Sequence, residues 1–244
     1  MRLLQLDAGE GKLPDNIVAL IDGERPDIVC LQSVVSSPHH RSHFFDLYQD
    51  IQKNLHYQHH YFSPTLDWQF AGLTISYGNL ILSKFPFLGK QTHFSSGKYK
   101  ADFKVYKDNP NVRNIQHVIV RAGTKPLHIL NYHGYEVPKS RLGNIETNRH
   151  FRDIAAYVEK LEGPAILSGN LNLVPNAPSL AALNKVMVNL CRSYKLETTR
   201  TILVPSITEV VDHVFVNKLV QVQAFNALDD IASDHTPLLL EFDI

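Results

Sequence analysis

Short apolar runs separated by turn residues recur along the whole chain, and their spacing restricts it to a sheet-rich fold with helices between strands. The first run is Leu3-Leu4-Gln5-Leu6, followed by a helical pattern over residues 14–22 and a buried-strand pattern over 27–32. Pro14 suits the first turn of that helix and Gly23 its end. Over residues 43–55 apolar side chains fall at Phe44, Leu47, Tyr48, Ile51 and Leu55, a period that predicts a second helix. From residue 57 to 132 the pattern changes to strands, over 79–83, 87–94, 114–120 and 126–132, with Pro, Gly and Asn clusters between them. A long helix is expected over 139–161, then a strand at 165–167 and a helix near 179–186. Three strands, over 210–216, 219–225 and 237–242, close the chain.

No repeat, low-complexity tract or long Pro/Gly/Ser linker divides these patterns, so residues 1–244 read as one domain, and an apolar content of 44% is enough to fill its core. Mixed strand pairing with helices over the outer faces predicts a four-layer α/β/β/α sandwich of two packed sheets. Lys plus Arg equals Asp plus Glu at 24 each, so no global positive field concentrates a polyanion. That argues against non-specific coating of DNA and leaves a local basic patch open. Cys30 and Cys191 are too few for a disulfide framework, and Cys30 within an apolar run reads as a buried reduced thiol. The opening MRLLQLDAGEGK reads as a first strand, its apolar stretch being too short for a secretory leader, and no run reaches membrane-spanning length. A cytoplasmic protein is the default expectation, although a mature form without its leader would look the same.

Polar residues stand where several apolar runs stop, the place where α/β and sandwich folds carry their sites. They are Asp7, Ser33, Asn79, His133, Asn170 and Asn172, with Asp212-His213 in VVDHVFV and Ser233-Asp234-His235 before the last strand. Taken singly, each is ordinarily a cap, a turn former or a solvated end. Asp212 differs, because a carboxylate inside an apolar strand is costly to bury without a cation or imidazole beside it, and His235 is the natural partner. A carboxylate on one imidazole nitrogen fixes the tautomer and raises the basicity of the other, which suits proton transfer or contact with a phosphoryl oxygen. His56, His59 and His60 have aromatic neighbours and a strand-like alternation that favour structural roles over metal binding. Lys84 and Arg113 read as solvated cations.

Six stretches, RPDIVCLQSV, GNLILSKFP, NYHG, GNLNLVPNAPSL, DHVFV and SDHTPLLLEF, follow one another in this order. Together they resemble the endonuclease/exonuclease/phosphatase superfamily, which implies the four-layer sandwich and divalent-metal-dependent hydrolysis of phosphoester bonds. By that resemblance His133 is the pocket histidine, Asn172 the second amide of the GDxN turn, Asp212 the strand aspartate, and Asp234-His235 the closing pair, with Asn79 placed to contact substrate. Three positions depart from the pattern. Ser33 stands where the metal-holding glutamate should follow LQ, Asn170 replaces the aspartate of GDxN, and Asp7 replaces the asparagine that ends the first strand.

The resemblance makes Mg²⁺ or Mn²⁺ the expected ion and Asp7, Ser33 and Asp234 its expected holders. Such a hard ion takes oxygen ligands and needs carboxylates to compensate its dehydration. Ser33 is short and neutral, whereas Asp7 adds an acid at the neighbouring strand end and leaves the formal charge unchanged. Asn170 offers no base near neutral pH, and losing a general base lowers a rate by about 100- to 10,000-fold. Catalysis would then rest on His133, Asn170, Asn172, Asp212 and His235. The expected function is a divalent-metal-dependent phosphodiesterase or phosphatase of weakened or altered activity on a small phosphoester or nucleic-acid fragment. The alternative is a catalytically inactive protein that holds a phosphorylated ligand or partner in the same pocket.

Overall fold

A strand covered on both faces reads as an unbroken apolar run, and the computed structural model of the chain, which describes residues 1–37, 46–70, 72–123 and 125–244, shows what covers each face. The first half contains β1 (Arg2–Asp7), α1 (Pro14–Glu24), β2 (Ile28–Ser36), α2 (Leu47–Asn54), β3 (His59–Phe70), β4 (Leu73–Ser83), β5 (Phe87–Ser96) and β6 (Lys100–Phe103). The second contains β7 (Arg113–Ala122), β8 (Lys125–Tyr132), α3 (Ile145–Glu159), β9 (Ala165–Asn170), α4 (Leu183–Val186), β10 (Val188–Asn189), α5 (Leu190–Ser193), β11 (Asp212–Val216), β12 (Gln221–Ala227) and β13 (Leu238–Asp243). They form a seven-stranded sheet ordered β12-β13-β1-β2-β4-β3-β6 and a six-stranded sheet ordered β10-β11-β9-β8-β7-β5.

Successive side chains of a strand point to opposite faces, and the apolar clusters follow that period of two. Leu3, Ile28, Cys30, Ile129, Ile166 and Leu240 meet between the sheets. Leu4, Leu6, Val29 and Leu31 face the other way, onto Ile17, Leu20 and Ile21 of α1 and Ile51 of α2. Leu130, Tyr132, Ala165 and Leu167 turn outward onto Phe151, Ile154 and Val158 of α3. The result is the expected sequence of helix, sheet, sheet and helix. Both cysteines are buried and free. Among the described residues no helix is long and apolar enough to cross a membrane.

Where the elements differ from the sequence reading, local chemistry explains the shift. The helix expected from residue 139 begins at Ile145, where Asn144 accepts from the backbone of Thr147 while Thr147 caps Asn144 in return. The helix expected over 43–55 occupies Leu47–Asn54 behind an Asp46 cap; His43, Phe44 and Phe45 lie outside the described residues. The expected helix at 179–186 is a 3-10 turn over Pro178–Leu180 followed by the short α4. Asp212 opens β11 rather than sitting within it, and the following strand starts at Gln221. Strand β6 falls where no strand was expected, and β3 extends to Phe70 from the strand-like alternation read only around His59 and His60.

The interlayer changes character toward the end of the sandwich where β1, β2, β8 and β9 finish. Apolar residues give way there to buried amides. Gln5 Nε2 donates to Gln32 Oε1 at 2.9 Å and Gln32 Nε2 to Asn131 Oδ1 at 2.7 Å, while Asn131 Nδ2 donates to Gln116 Oε1 at 3.1 Å. Gln116 in turn donates to the Asn79 carbonyl, and Asn79 Nδ2 to Asn114 Oδ1 at 3.0 Å. Buried amides are stable only when paired, so this seam locks the two sheets in one register and leads into the site above it.

Candidate functional site

Two glycine-bearing turns bring the polar strand ends together. A Cβ on Gly134 would stand 2.3 Å from the Leu171 carbonyl oxygen, and one on Gly169 only 1.9 Å from that of Tyr132. Glycine at these positions lets the NYHG and LSGNL segments touch. Gly134 N then donates to the Asn170 carbonyl at 2.7 Å, and Asn172 Nδ2 to the Gly134 carbonyl at 3.2 Å. On β2 the pairing with β4 skips between Leu31 and Val34, and Ser33 sits at this bulge with φ of 55°. A bulge re-aims a side chain, and here it faces Ser33 toward His133.

Around these turns lies a polar cleft of about 210 Å³, lined by Asp7, Gly9, Glu10, Lys12, Ser33, His133, Glu136, Arg141, Asn170, Asn172, Arg200, Asp234 and His235. Every catalytic or ion-holding candidate except Asp212 borders it, and Asp212 lies directly beneath. Asp212 Oδ2 is 2.7 Å from His235 Nδ1, and Oδ1 accepts from Gln5 at 3.3 Å, so the carboxylate, fully buried at 0% exposure, rests on the amide seam. Burial pushes the His235 imidazole toward neutrality, but the carboxylates of Asp212 and Asp7 outweigh it and raise its pKa to about 9.

The other His235 nitrogen is occupied. Arg200 Nη1 lies 2.5 Å from Nε2, while Arg200 Nη2 reaches Glu209 Oε1 at 3.1 Å. A guanidinium only donates, so this bond and a proton on Nε2 exclude each other. Glu209 also accepts from Arg141 Nε at 3.1 Å, and Arg141 Nη1 reaches Asn172 Oδ1 at 3.2 Å. Burial would raise the Glu209 carboxyl; the two arginines hold it below its ordinary value.

Across the cleft, the positions that depart from the family pattern bond to one another. Asn170 Nδ2 donates to Asp7 Oδ2 at 2.9 Å, and its Oδ1 accepts from Asn172 N at 2.9 Å, so both ends of the amide are fixed by partners. Asp7 Oδ1 accepts from Gly9 N at 3.1 Å, and Ser33 donates to the same carboxylate. Tyr77 Oη in turn donates to Ser33 Oγ at 2.9 Å. Burial would raise Asp7, but His235, His133 and the Asn170 and Ser33 donors keep it well below the usual carboxylate range. His133 is driven the other way, to about 3, by burial and by Arg113, and is neutral.

These donors do not suit a hard divalent ion. Asp7 is the one buried carboxylate there, and it already accepts from three groups; Ser33 is tied to Tyr77; Asp234 lies 3.5 Å from Arg200 Nη1. Among the described residues no group of three or more His, Cys, Asp or Glu is arranged to hold a metal. Octahedral oxygen coordination by Mg²⁺ or Mn²⁺ would require this hydrogen-bonded cluster to open first.

The remaining candidates lie elsewhere. Asn79 is inside the amide seam, bonded to Asn114, and does not line the cleft, because its strand turns it between the sheets. His213 bonds the Leu173 carbonyl at 2.7 Å and Asn189 at 3.2 Å in the interior. His59 and His60 are on β3, where His60 pairs with Tyr48. Lys84 is partly exposed against Asp27. Arg113 is a correction: it is buried, not solvated, because Nε and Nη1 are saturated by the carbonyls of Gly134, Pro110 and Val112. Sequence reasoning missed Tyr77, Arg141, Arg200 and Glu209; the last three come from loops or irregular segments with no pattern of their own.

Solved structures match this architecture along its whole length. A mannosyl-6-phosphatase from Bacteroides thetaiotaomicron superposes with a TM-score of 0.72 at 15% identity, covering 100% of both chains. D. rerio TDP2 complexed with a single-strand DNA product gives 0.71 at 13%, covering 100% of this chain and 99% of that one. A protein from Beutenbergia cavernae described as an endonuclease/exonuclease/phosphatase gives 0.73 at 19%, covering 99% and 71%. At these identities the likeness is one of fold. A search of curated proteins found no match. The sequence matches the Endonuclease/Exonuclease/phosphatase family over residues 7–235, and the chain belongs to that family.

Proposed function

We propose that the cleft takes the phosphoryl group of a small phosphoester and hydrolyses it far more slowly than a family member with its metal carboxylates intact. The observation that carries this reading is the 2.7 Å Asp212–His235 pair beside His133 and Asn172 in a polar cleft. Asp212 holds the His235 ring through Nδ1, and with the pKa raised to about 9 the ring becomes a base as pH rises toward that value and Arg200 turns aside from Nε2. Nε2 then takes a proton from attacking water, whose oxygen bonds phosphorus as the ester P–O bond breaks, and the imidazolium returns the proton to the leaving alcohol. Asn172 and neutral His133 supply hydrogen bonds to phosphoryl oxygens, and Arg141 and Arg200 supply charge. Family membership and the likeness to a mannosyl-6-phosphatase and to TDP2 complexed with a single-strand DNA product support the substrate class. The superfamily generally depends on a divalent metal, yet no step here is assigned to one, since the donors at Asp7 and Ser33 are already engaged. Hydrolysis of bis-p-nitrophenyl phosphate, followed with Mg²⁺, with Mn²⁺ and with chelator, is the test. Slow turnover abolished by His235→Ala is expected, and turnover no greater than that of the variant overturns the reading.

A second reading, binding without turnover, is favoured by Arg200, which covers the nitrogen that would act as base. It predicts that calorimetry detects binding of glycerol phosphate while the same preparation shows no hydrolysis.

A further inference from the structure

Beside the polar cleft lies a second cavity of about 360 Å³, large enough for a small organic group. The two share Glu10, His133 and Glu136, so a ligand anchored at His133 extends directly into it. Its character is different: Leu66, Trp68, Tyr77 and Phe103 form its walls together with Arg113. Trp68 and Tyr77 stand 6.4 Å apart at 53°, and a guanidinium offers a further planar surface for stacking. Tyr77 belongs to both spaces, since its ring lines the apolar cavity while its hydroxyl donates to Ser33.

We infer that this cavity selects the organic part of the phosphoester, and that the ligand is an aryl phosphoester whose planar ring stacks among Trp68, Tyr77 and Phe103. The inference rests on the phosphoester reading of the adjoining cleft and specifies its substrate. The walls Leu66, Trp68, Tyr77 and Phe103 carry no charge, and the Arg113 Nε and Nη1 groups are held by backbone carbonyls, so the part entering the apolar cavity is uncharged. Aromatic walls give an aryl group an advantage over an alkyl group of about tenfold in affinity, the size of one well-placed stacking contact.

Trp68 is the chain's single tryptophan, so its fluorescence reports occupation of this cavity independently of hydrolysis. Phenyl phosphate, methyl phosphate, inorganic phosphate and phenol are titrated separately, with calorimetry in parallel. The expected result is a Trp68 emission change with phenyl phosphate, affinity about tenfold above that of methyl phosphate, and loss of that advantage in both Trp68→Leu and Phe103→Ala. The Trp68 site is half-buried, so that variant serves if Phe103→Ala fails to fold. Equal affinity for phenyl and methyl phosphate overturns the aryl inference and leaves the phosphoester reading standing. Phenol binding without any phosphate ester, or no binding of any probe, overturns both.

Discussion

The two sides of the cleft are built from equally buried polar groups, yet they have opposite chemical prospects. On one side Asp212 grips His235 from below, and the ring's other nitrogen meets Arg200, a side chain bordering the cleft that must turn aside before that nitrogen serves it. On the other, Asp7, Asn170, Ser33 and Tyr77 satisfy one another and leave little capacity for an ion. The difference shows that a pocket keeps its shape when a carboxylate becomes an amide or hydroxyl, provided each lone pair finds a donor, while its function depends on which groups stay unsatisfied.

The strongest way to break this contrast is to reopen the closed side. Ser33→Glu combined with Asn170→Asp removes the amide donor from Asp7 and restores two carboxylates. We expect Mn²⁺-dependent hydrolysis of bis-p-nitrophenyl phosphate to rise by about 100- to 10,000-fold, the range associated with a general base. Calorimetry should detect ion uptake in the double variant. A variant that folds, takes up Mn²⁺ and gains no rate would show that the Asp212–His235 side, not the ion side, limits turnover.

Attacking the other side should reduce stability. Asp212→Ala leaves His235 buried without its carboxylate and Gln5 short of an acceptor, and the expected loss is about 3–5 kcal/mol in a denaturant titration. Asp212→Asn keeps the shape, and histidine NMR should then find the His235 titration well below its present value of about 9.

The two sides also divide the pH response. His235 is raised from 6.5 to about 9, so the folded state binds the extra proton in that window and stability falls as pH rises through it. Asp7 is lowered, so its contribution is present above the ordinary carboxylate range and is lost as pH falls below it. His117 and His213, both lowered from 6.5 to about 4 with burial the leading cause, add to the acid limb, because the unfolded chain takes up their protons first. Melting temperature should therefore peak near pH 6.5 and fall on either side. The Asp212→Asn variant should flatten the alkaline limb and, because the Asp212 charge also favours protonated His133 and His213, steepen the acid limb.

Much of this contrast was legible in the sequence. Unbroken runs such as Ile28-Val29-Cys30-Leu31 announce strands covered on both faces, and the charge of Asp212 demanded a partner that proved to be His235. The capping pair Asn144 and Thr147 was present as a signal and would have moved the start of α3. Strand β3 was legible only at its start, around His59 and His60, because beyond them its faces are only partly covered and its residues do not alternate cleanly. Arg113 was misread because arginine is ordinarily exposed, and the backbone carbonyls that satisfy it exist only once loops from distant parts of the chain meet. Arg200 and Glu209 lie outside any periodic element, so their approach to His235 and Arg141 is a property of tertiary structure alone.

The smallest expected effect is the most discriminating about the closed side. Tyr77→Phe deletes one hydroxyl, keeps the ring against Trp68, and frees the lone pairs of Ser33 that now accept from it. If Ser33 turns that freed acceptor to His133 Nδ1, already 3.4 Å away, the cluster reseals and stability falls by only about 1 kcal/mol, the net worth of one hydrogen bond. Affinity for phenyl phosphate should be unchanged, since the stacking surface is intact. A larger loss of stability accompanied by new Mn²⁺ binding would mean that the Tyr77 hydroxyl alone keeps the Asp7 side shut. The closed cluster would then be a single latch on an ion site whose other groups remain competent.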